Sequence, residues 1–143
     1  VGFVFNKIGI TPEACSSWFL PRIVNMGTAL EWIYSGDLIS AEELTHKGFA
    51  NQRIDGESLL DKAYEIAARI SSHSQVAVAL TRQMMYRNAA LPHPIGAHEV
   101  DSLAIFYVSQ TSGKEGVNAF LEKRKANFDD HASTDMPPFY PWW

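Results

Sequence analysis

Glu13 is the carboxylate in this sequence whose setting best suits acid–base chemistry. It follows Thr11 and Pro12, and threonine caps free backbone amides while proline suits the first turn of a helix. The pattern therefore predicts Glu13 in the first turn of a helix, where the positive end of the helix dipole stabilises an ionised carboxylate. Its position leaves two roles open, a partner of the helix dipole or a general base that abstracts a proton.

Two other groups contain residue types that act as nucleophiles or metal ligands, but their spacing argues against both roles. Cys15–Ser17 lacks the Gly-x-Ser-x-Gly turn of a serine nucleophile, and no histidine or acid is placed by sequence to complete a triad. His93 and His98 are five residues apart with proline and glycine between them, which is not a metal-binding helical pattern. We expect neither covalent catalysis at Cys15 nor a metal site.

A basic run, Lys123–Lys125, follows Phe120 in a segment with amphipathic helical periodicity. Such a run is usually a solvated face of a helix. It also suits a clamp for a phosphate-bearing ligand, in which the cations contact phosphate oxygens and Phe120 supplies apolar contact. The charge run alone does not decide between the two.

Charge and composition narrow the classes of partner and compartment. The 143 residues include 12 basic and 16 acidic side chains, for a net charge of −4, so a nucleic-acid-binding surface is not expected. A single cysteine, Cys15, excludes an intramolecular disulfide and fits a reducing compartment. No apolar run approaches the roughly 18 residues of a membrane span, so we expect no membrane insertion. Because the chain starts with valine inside a strand-like segment, we expect it to be part of a longer protein.

The order of residue types indicates one short strand followed by about six to seven helices. Residues 1–5 are β-branched and aromatic, so we expect a buried strand there. Apolar residues then recur at helical spacing, with breaks at glycine and proline. A short extended segment is expected over residues 49–54, and a non-helical aromatic tail from Met136. The expected helices run from Thr11 to Phe19 with an end or kink at Pro21, from Gly27 to Tyr34, from Ser40 to Gly48, from Gly56 to Ile70, from Ser74 to Arg87, from His98 to Gln110 and from Lys114 to Lys125.

Several of these segments together resemble the crotonase superfamily, the enoyl-CoA hydratase/isomerase group. The resemblance is carried, in order and with matched spacing, by the runs Gly9–Arg22, Ala29–Glu31, Ser35–Glu43, Gly48–Asn51 and Glu115–Phe128. It implies that the chain is the mainly helical, C-terminal fragment of an α/β fold built as a spiral of ββα units. It also implies that residues 1–90 comprise the end of the spiral core and the helices that follow it, and that residues 91–143 form a C-terminal helical oligomerisation region with the aromatic tail.

The activity that the resemblance implies is proton transfer on an acyl-CoA thioester through an enolate, whose oxygen is held by backbone amides. Hydratases of this family use two glutamates, and Phe5 occupies the position of one of them. The Pro-Glu-x-Cys-Ser-Ser run is similar to that of Δ3,Δ2-enoyl-CoA isomerases, whose single catalytic glutamate matches Glu13. The resemblance therefore favours isomerisation. Hydration is the alternative, as is an inactive fragment that serves as a helical assembly or acyl-CoA-binding module.

The resemblance also suggests partners for the second half of the chain. Phe120 and Lys123 match family positions that contact coenzyme A, which is part of the substrate, so no separate cofactor is implied. The family assembles as a trimer or a dimer of trimers through its C-terminal helices. The tail Phe139–Trp143 could pack across such an interface or fold back on its own chain. The implied location is the cytoplasm, with the peroxisome as the alternative.

Overall fold

The computed structural model describes residues 1–142 and divides into two compact units, Val1–Leu59 and the residues from Leu60 onward. The expectation of a mainly helical fragment is confirmed, because the described residues contain seven α-helices and almost no strand. The short 3₁₀ helices Asn6–Ile8 and Gly56–Ser58 precede α1 and α4. The α-helices are α1 (Ser16–Ile23), α2 (Met26–Ser35), α3 (Ala41–His46), α4 (Leu59–Ser71), α5 (Gln75–Asn88), α6 (Pro94–Gln110) and α7 (Ser112–Leu121).

The strand expected over residues 1–5 is reduced to one antiparallel bridge, between Gly2 and Leu38. Ile39 donates its N–H to the carbonyl of Val1 at 2.7 Å, and the Val1 amino group donates back to Ile39 at 3.2 Å. At Phe5 the backbone turns helical, with φ −50° and ψ −58°, so the pairing stops there. The prediction of a strand was therefore wrong, and the extended segment expected over residues 49–54 has no strand either.

Helix α1 tolerates Pro21 within its last turn, where the sequence led us to expect an end or kink. A proline inside a helix removes one backbone donor, here the N–H that would have bonded four residues back. The turn still closes, because the Val24 N–H donates to the Leu20 carbonyl at 3.0 Å. The helix therefore continues to Ile23, two residues beyond the proline.

The predicted limits of α2 are close to those of the structure. The Asn25 side chain accepts a hydrogen bond from the Thr28 N–H at 2.9 Å and so caps the helix start. At the other end Gly36 has φ 61°, a conformation that favours glycine. A Cβ atom there would lie 3.0 Å from the Cβ of Lys7, so the close approach of residue 7 also requires glycine. Both ends of α2 are therefore set by local residues.

Helix α3 starts at the predicted Ser40 cap, whose Oγ accepts from the Glu43 N–H at 3.1 Å. The reciprocal half of a capping box is replaced by a longer-range bond. The Glu43 Oε1 accepts a hydrogen bond from the indole N–H of Trp32 at 2.9 Å. This bond satisfies the polar atom of a buried tryptophan and ties α3 to α2.

The core of the first unit centres on Trp32, which is only 3% exposed. Its ring stacks on Phe3 with centroids 6.1 Å apart and meets Phe49 edge-on at 6.1 Å. Phe3 and Phe49 also contact each other edge-on at 6.0 Å, which closes an aromatic triangle. Because the three rings come from the N-terminal segment, α2 and the turn after α3, they hold the first unit together. The buried aliphatic residues of this core are Leu20, Val24, Ala29, Ile33, Ile39 and Leu44.

In the second unit, α5 packs against α6 and α6 against α7. Helix α6 begins at Pro94, four residues earlier than His98, where the sequence predicted its start. The His93 Nδ1 accepts from the Ile95 N–H at 3.2 Å, and Pro94 suits the first turn, so these two residues start the helix. The chain is therefore broken between α5 and α6 as predicted, but the last residues of the break, His93 and Pro94, start α6. The buried hydrophobic side chains of this unit are Val76, Leu80, Ala104 and Ala119.

A carboxylate from the C-terminal segment caps α5. The Asp130 side chain accepts hydrogen bonds from the Gln75 N–H at 3.2 Å, from the Val76 N–H at 3.3 Å and from the Ser74 hydroxyl. Ser74 is 5% exposed, and its Oγ also accepts from the Ala77 N–H at 3.0 Å. We call Asp130 with Ser74, Gln75 and Val76 the Asp130 clasp. It places negative charge at the positive end of a helix dipole and satisfies its free amides.

The aromatic tail has no helix over residues 136–142, as expected. Phe139 meets the ring of Tyr107 edge-on with centroids 6.3 Å apart, so this part of the tail folds back on its own chain. The Tyr107 hydroxyl donates to the Asp135 carbonyl at 3.1 Å, which fixes the segment before it. Trp143, the last residue of the predicted tail, lies outside the described residues. No helix within residues 1–142 combines the length and the apolar character needed to cross a membrane.

Candidate active site

Glu13 lies just before α1 and not in its first turn, which corrects the sequence prediction. The helix begins at Ser16, and its N-cap residue is Cys15. The intervening Ala14 and Cys15 have φ 52° and 59°, in the left-handed region, so the chain cannot be α-helical there. These two residues displace Glu13 from the helix, so the helix-dipole argument made from its sequence position no longer applies.

The backbone of Glu13 is held while its carboxylate is left free. Its carbonyl accepts two hydrogen bonds from Ser16, from the N–H at 2.9 Å and from the hydroxyl at 2.6 Å. The Glu13 side chain is exposed, and no hydrogen bond or salt bridge within residues 1–142 engages its carboxylate. Two adjacent left-handed residues store conformational strain, and such strain concentrates at functional sites. The arrangement suits a group that must accept and return a proton.

The other candidate groups of the sequence have structural settings. Cys15 is an exposed free cysteine at the N-cap of α1. His93 caps α6 through its Nδ1, as described above. Within residues 1–142 no three His, Cys, Asp or Glu side chains come together as a set that could hold a metal ion.

Lys123 lies beyond the end of α7, which corrects the prediction that Lys123–Lys125 occupies a helix. Helix α7 ends at Leu121, and Lys123 has φ 55°, in the left-handed region. The Arg124 N–H donates to the Ala119 carbonyl at 3.0 Å, five residues back, which is the bond of a Schellman turn. Phe120, in the last turn of the helix, is 82% exposed. The exposed ring and the lysine thus lie on either side of a helix end.

Glu115 is a residue that the sequence analysis did not single out, and it organises this turn. Its carboxylate accepts two bonds from the Arg124 guanidinium, at 2.6 and 2.9 Å, and a third from the Asn127 N–H at 2.7 Å. Glu122 accepts a further bond from Arg124 at 2.6 Å. We call Glu115, Arg124 and Asn127 the Glu115 clamp. Glu115 and Arg124 are nine residues apart, a separation that follows no helical or strand period, so the sequence offered no signal for the pair.

These hydrogen bonds lower the pKa of Glu115 to about 2, with the Arg124 side chain as the main cause and the Asn127 amide second. A lowered native pKa means that the clamp is complete above the ordinary value of 4.5 and is lost as the pH falls toward 2. We therefore predict that the carboxyl carbon of Glu115, followed by NMR, titrates near pH 2 in the native protein. Its midpoint should rise in Arg124→Gln, and a midpoint close to 4.5 before any substitution would contradict the clamp.

Comparison with known proteins decides the family. The family model for enoyl-CoA hydratase/isomerase matches residues 1–131 of the chain. The chain belongs to this family. The predicted membership of the crotonase superfamily is therefore confirmed.

Relatives of known sequence and structure agree with this assignment. The chain is 39% identical over 133 residues to an enoyl-CoA hydratase of Alternaria alternata, covering 91% of this chain and 44% of that protein. It is 38% identical to the crotonyl-CoA hydratase of Syntrophomonas wolfei, covering 85% of this chain and 46% of that protein. The enoyl-CoA hydratase of Bacillus anthracis superposes with a TM-score of 0.84 at 28% identity, over 91% of this chain and 50% of its own. The chain thus spans about half the length of the relatives it matches.

The candidate residues of this family member belong to separate units. Glu13 belongs to the first unit, while Phe120 and Lys123 belong to the second. Within each unit the local geometry is well defined: a free carboxylate on a held backbone, and a lysine and an exposed ring at a clamped helix end. The roles of all three residues stay predictions.

Proposed function

We propose that the protein acts on enoyl-CoA thioesters by proton transfer and moves the double bond from C3 to C2, with Glu13 as the base. The Glu13 carboxylate removes a proton from C2, which gives a dienolate with the negative charge on the thioester oxygen. The electron pair then moves along the chain, C2 and C3 become doubly bonded, and Glu13 returns the proton to C4. One carboxylate serves both steps, so the reaction starts and ends with the same ionised group.

This proposal rests on one observation. The Glu13 carboxylate is free, while the backbone carbonyl of the same residue accepts two hydrogen bonds. A shuttling base must reach two carbon atoms in turn, so its side chain has to be free while its backbone is fixed. Ser16 fixes the backbone, and within residues 1–142 nothing neutralises or engages the carboxylate. The family resemblance places Phe5 at the position of a hydratase glutamate, and a phenylalanine cannot activate water. The free Glu13 carboxylate and this resemblance both favour the single-carboxylate reaction.

Stabilising the enolate requires hydrogen-bond donors aimed at the thioester oxygen. We expect these donors to come from the half of the family pattern that precedes the residues of this chain. We further propose that Phe120 and Lys123 contact the coenzyme A part of the substrate, with no cofactor besides it. The same family resemblance supports assembly as a trimer or a dimer of trimers, and a cytoplasmic or peroxisomal location.

Hydration of a 2-enoyl-CoA is the second candidate function, because the relatives described above are named hydratases. It differs from isomerisation in one demand: a water molecule must be positioned and deprotonated, which a second carboxylate assists. If hydration is the reaction, a residue other than Phe5 must supply that second carboxylate. The two functions are therefore separable by substrate.

The test supplies 3-enoyl-CoA and 2-enoyl-CoA separately and follows the absorbance of the conjugated thioester. The protein is assayed as these 143 residues and also joined to the preceding half of a family member. We expect absorbance to rise with 3-enoyl-CoA in the joined protein. A fall with 2-enoyl-CoA and no change with 3-enoyl-CoA would overturn isomerisation in favour of hydration. No turnover of either thioester, with coenzyme A still bound, would indicate a binding module.

A further inference from the structure

The turn after α7 is built in an unusual way, because lysine occupies the position that glycine usually takes. In a Schellman turn the residue just past the helix adopts the left-handed conformation, which costs side-chain-bearing residues free energy. Here that residue is Lys123, with φ 55°. A non-glycine residue persists in this conformation only when its surroundings hold it there. The turn therefore calls for an explanation of what holds it and of what the lysine contributes.

The Glu115 clamp holds the turn from both sides. Glu115 is in α7, before the turn, while Arg124 and Asn127 follow the turn. The carboxylate–guanidinium contact uses two parallel hydrogen bonds, which fix orientation as well as distance. Because Arg124 is the next residue after Lys123, fixing its side chain to the helix restricts the backbone at Lys123.

The clamp also removes Arg124 from the free cations of the basic run, which leaves the exposed Lys123 and Lys125. Arg124 is bonded to two carboxylates, those of Glu115 and Glu122, so its charge is neutralised locally. Lys123 forms no salt bridge within residues 1–142 and is exposed. The ring of Phe120, 82% exposed, lies three residues before it. A free cation three residues from an exposed aromatic ring suits a ligand with phosphates and a planar base.

We propose that Glu115 is a positioning residue that acts through Arg124 to hold Lys123 in its left-handed conformation, so that the Lys123 ammonium meets the phosphates of coenzyme A. This inference rests on the proposed function, in which an acyl-CoA thioester is the substrate. Glu115 itself touches no part of the ligand. Its effect on binding must therefore pass entirely through Lys123.

A double-mutant cycle tests this dependence. Coenzyme A is titrated by calorimetry into the 143-residue protein and its Glu115→Gln, Lys123→Gln and doubly substituted variants. We expect each single substitution to weaken binding, by roughly tenfold for loss of a charge-assisted contact. Since Glu115 acts through Lys123, the double variant should bind no more weakly than Lys123→Gln. A merely structural role for Glu115 would instead give additive losses.

Two controls accompany the cycle. Glu65→Gln breaks the exposed Lys62–Glu65 pair, which has a 2.7 Å contact in the same unit, and should leave binding unchanged. Lys125→Gln removes a neighbouring cation whose backbone does not have the left-handed conformation of Lys123. This substitution should weaken binding less than Lys123→Gln. Unchanged binding in Glu115→Gln, or additive losses, overturns the positioning role and leaves the proposed function intact. No coenzyme A binding by the unsubstituted protein overturns this inference, whereas the proposed function fails separately if the joined protein turns over no thioester.

Discussion

Replacing Glu13 by glutamine will lower the rate of double-bond migration by about two to four orders of magnitude, the usual contribution of a general base. Glutamine has nearly the shape of glutamate, but its neutral amide cannot accept a proton from C2. The two hydrogen bonds from Ser16 go to the backbone carbonyl of Glu13, so the substitution leaves them in place. The loss should therefore appear in kcat with little change in KM.

Steady-state kinetics on 3-enoyl-CoA, with the chain joined to the preceding half of a family member, measures this effect. Glu31→Gln is the matched control, because Glu31 is an exposed glutamate of the same unit in α2, and it should keep the unsubstituted rate. A Glu13→Gln variant as fast as this control would remove Glu13 from the mechanism. The base would then be a different carboxylate, and hydration would become the better proposal.

Replacing Trp32 by alanine will destabilise the protein by about 3–5 kcal/mol, the usual cost of removing a large buried aromatic side chain. Trp32 is 3% exposed and contacts both other rings of the aromatic triangle. Its loss would leave a cavity between Phe3 and Phe49. It would also leave Glu43 without its indole donor, which is bonded at 2.9 Å in the native structure.

Urea unfolding followed by circular dichroism measures the change, with the midpoint and slope compared between variants. Trp18→Ala is the control: Trp18 is 50% exposed and its ring is covered on one face by the Arg22 guanidinium, 3.3 Å from the ring centre. Losing that cation–π contact should cost only about 0.5–1 kcal/mol at an exposed site. Similar losses in the two variants would mean that the aromatic triangle is not the centre of the first unit.

The sequence predicted best those elements whose limits are set within a few residues. Gly36 ends α2 by its left-handed conformation, and Ser40 starts α3 by a bond to an amide three residues ahead. Both signals are local, so residue type and spacing were sufficient. The prediction of an N-terminal strand was wrong because strand pairing is not local: it depends on a partner elsewhere in the chain. Leu38 supplies only a single bridge.

The candidate sites show where local rules stop working. Thr11 and Pro12 are residue types that typically start a helix. Ala14 and Cys15, however, adopt left-handed conformations that alanine and cysteine rarely take, so α1 starts only at Ser16. Helix α7 was likewise predicted to continue to Lys125, because a lysine at position 123 does not indicate the end of a helix as a glycine would. Glu13 and Lys123 were thus named as candidates from their residue types but placed in the wrong backbone setting. The pairing of Glu115 with Arg124 required the folded chain to be seen.

The Asp130 clasp has a consequence for the order in which the second unit can form during synthesis. Helices α5, α6 and α7 follow one another with short connections, so their packing needs only contacts between neighbours in the chain. The clasp instead joins Ser74 to a residue 56 positions later. In a nascent chain the Gln75 and Val76 amides therefore lack their carboxylate acceptor until Asp130 has left the ribosome, although Ser74 can already cap the Ala77 amide. Closure of that loop then joins the start of α5 to the segment that follows α7, after the helices between them have been made.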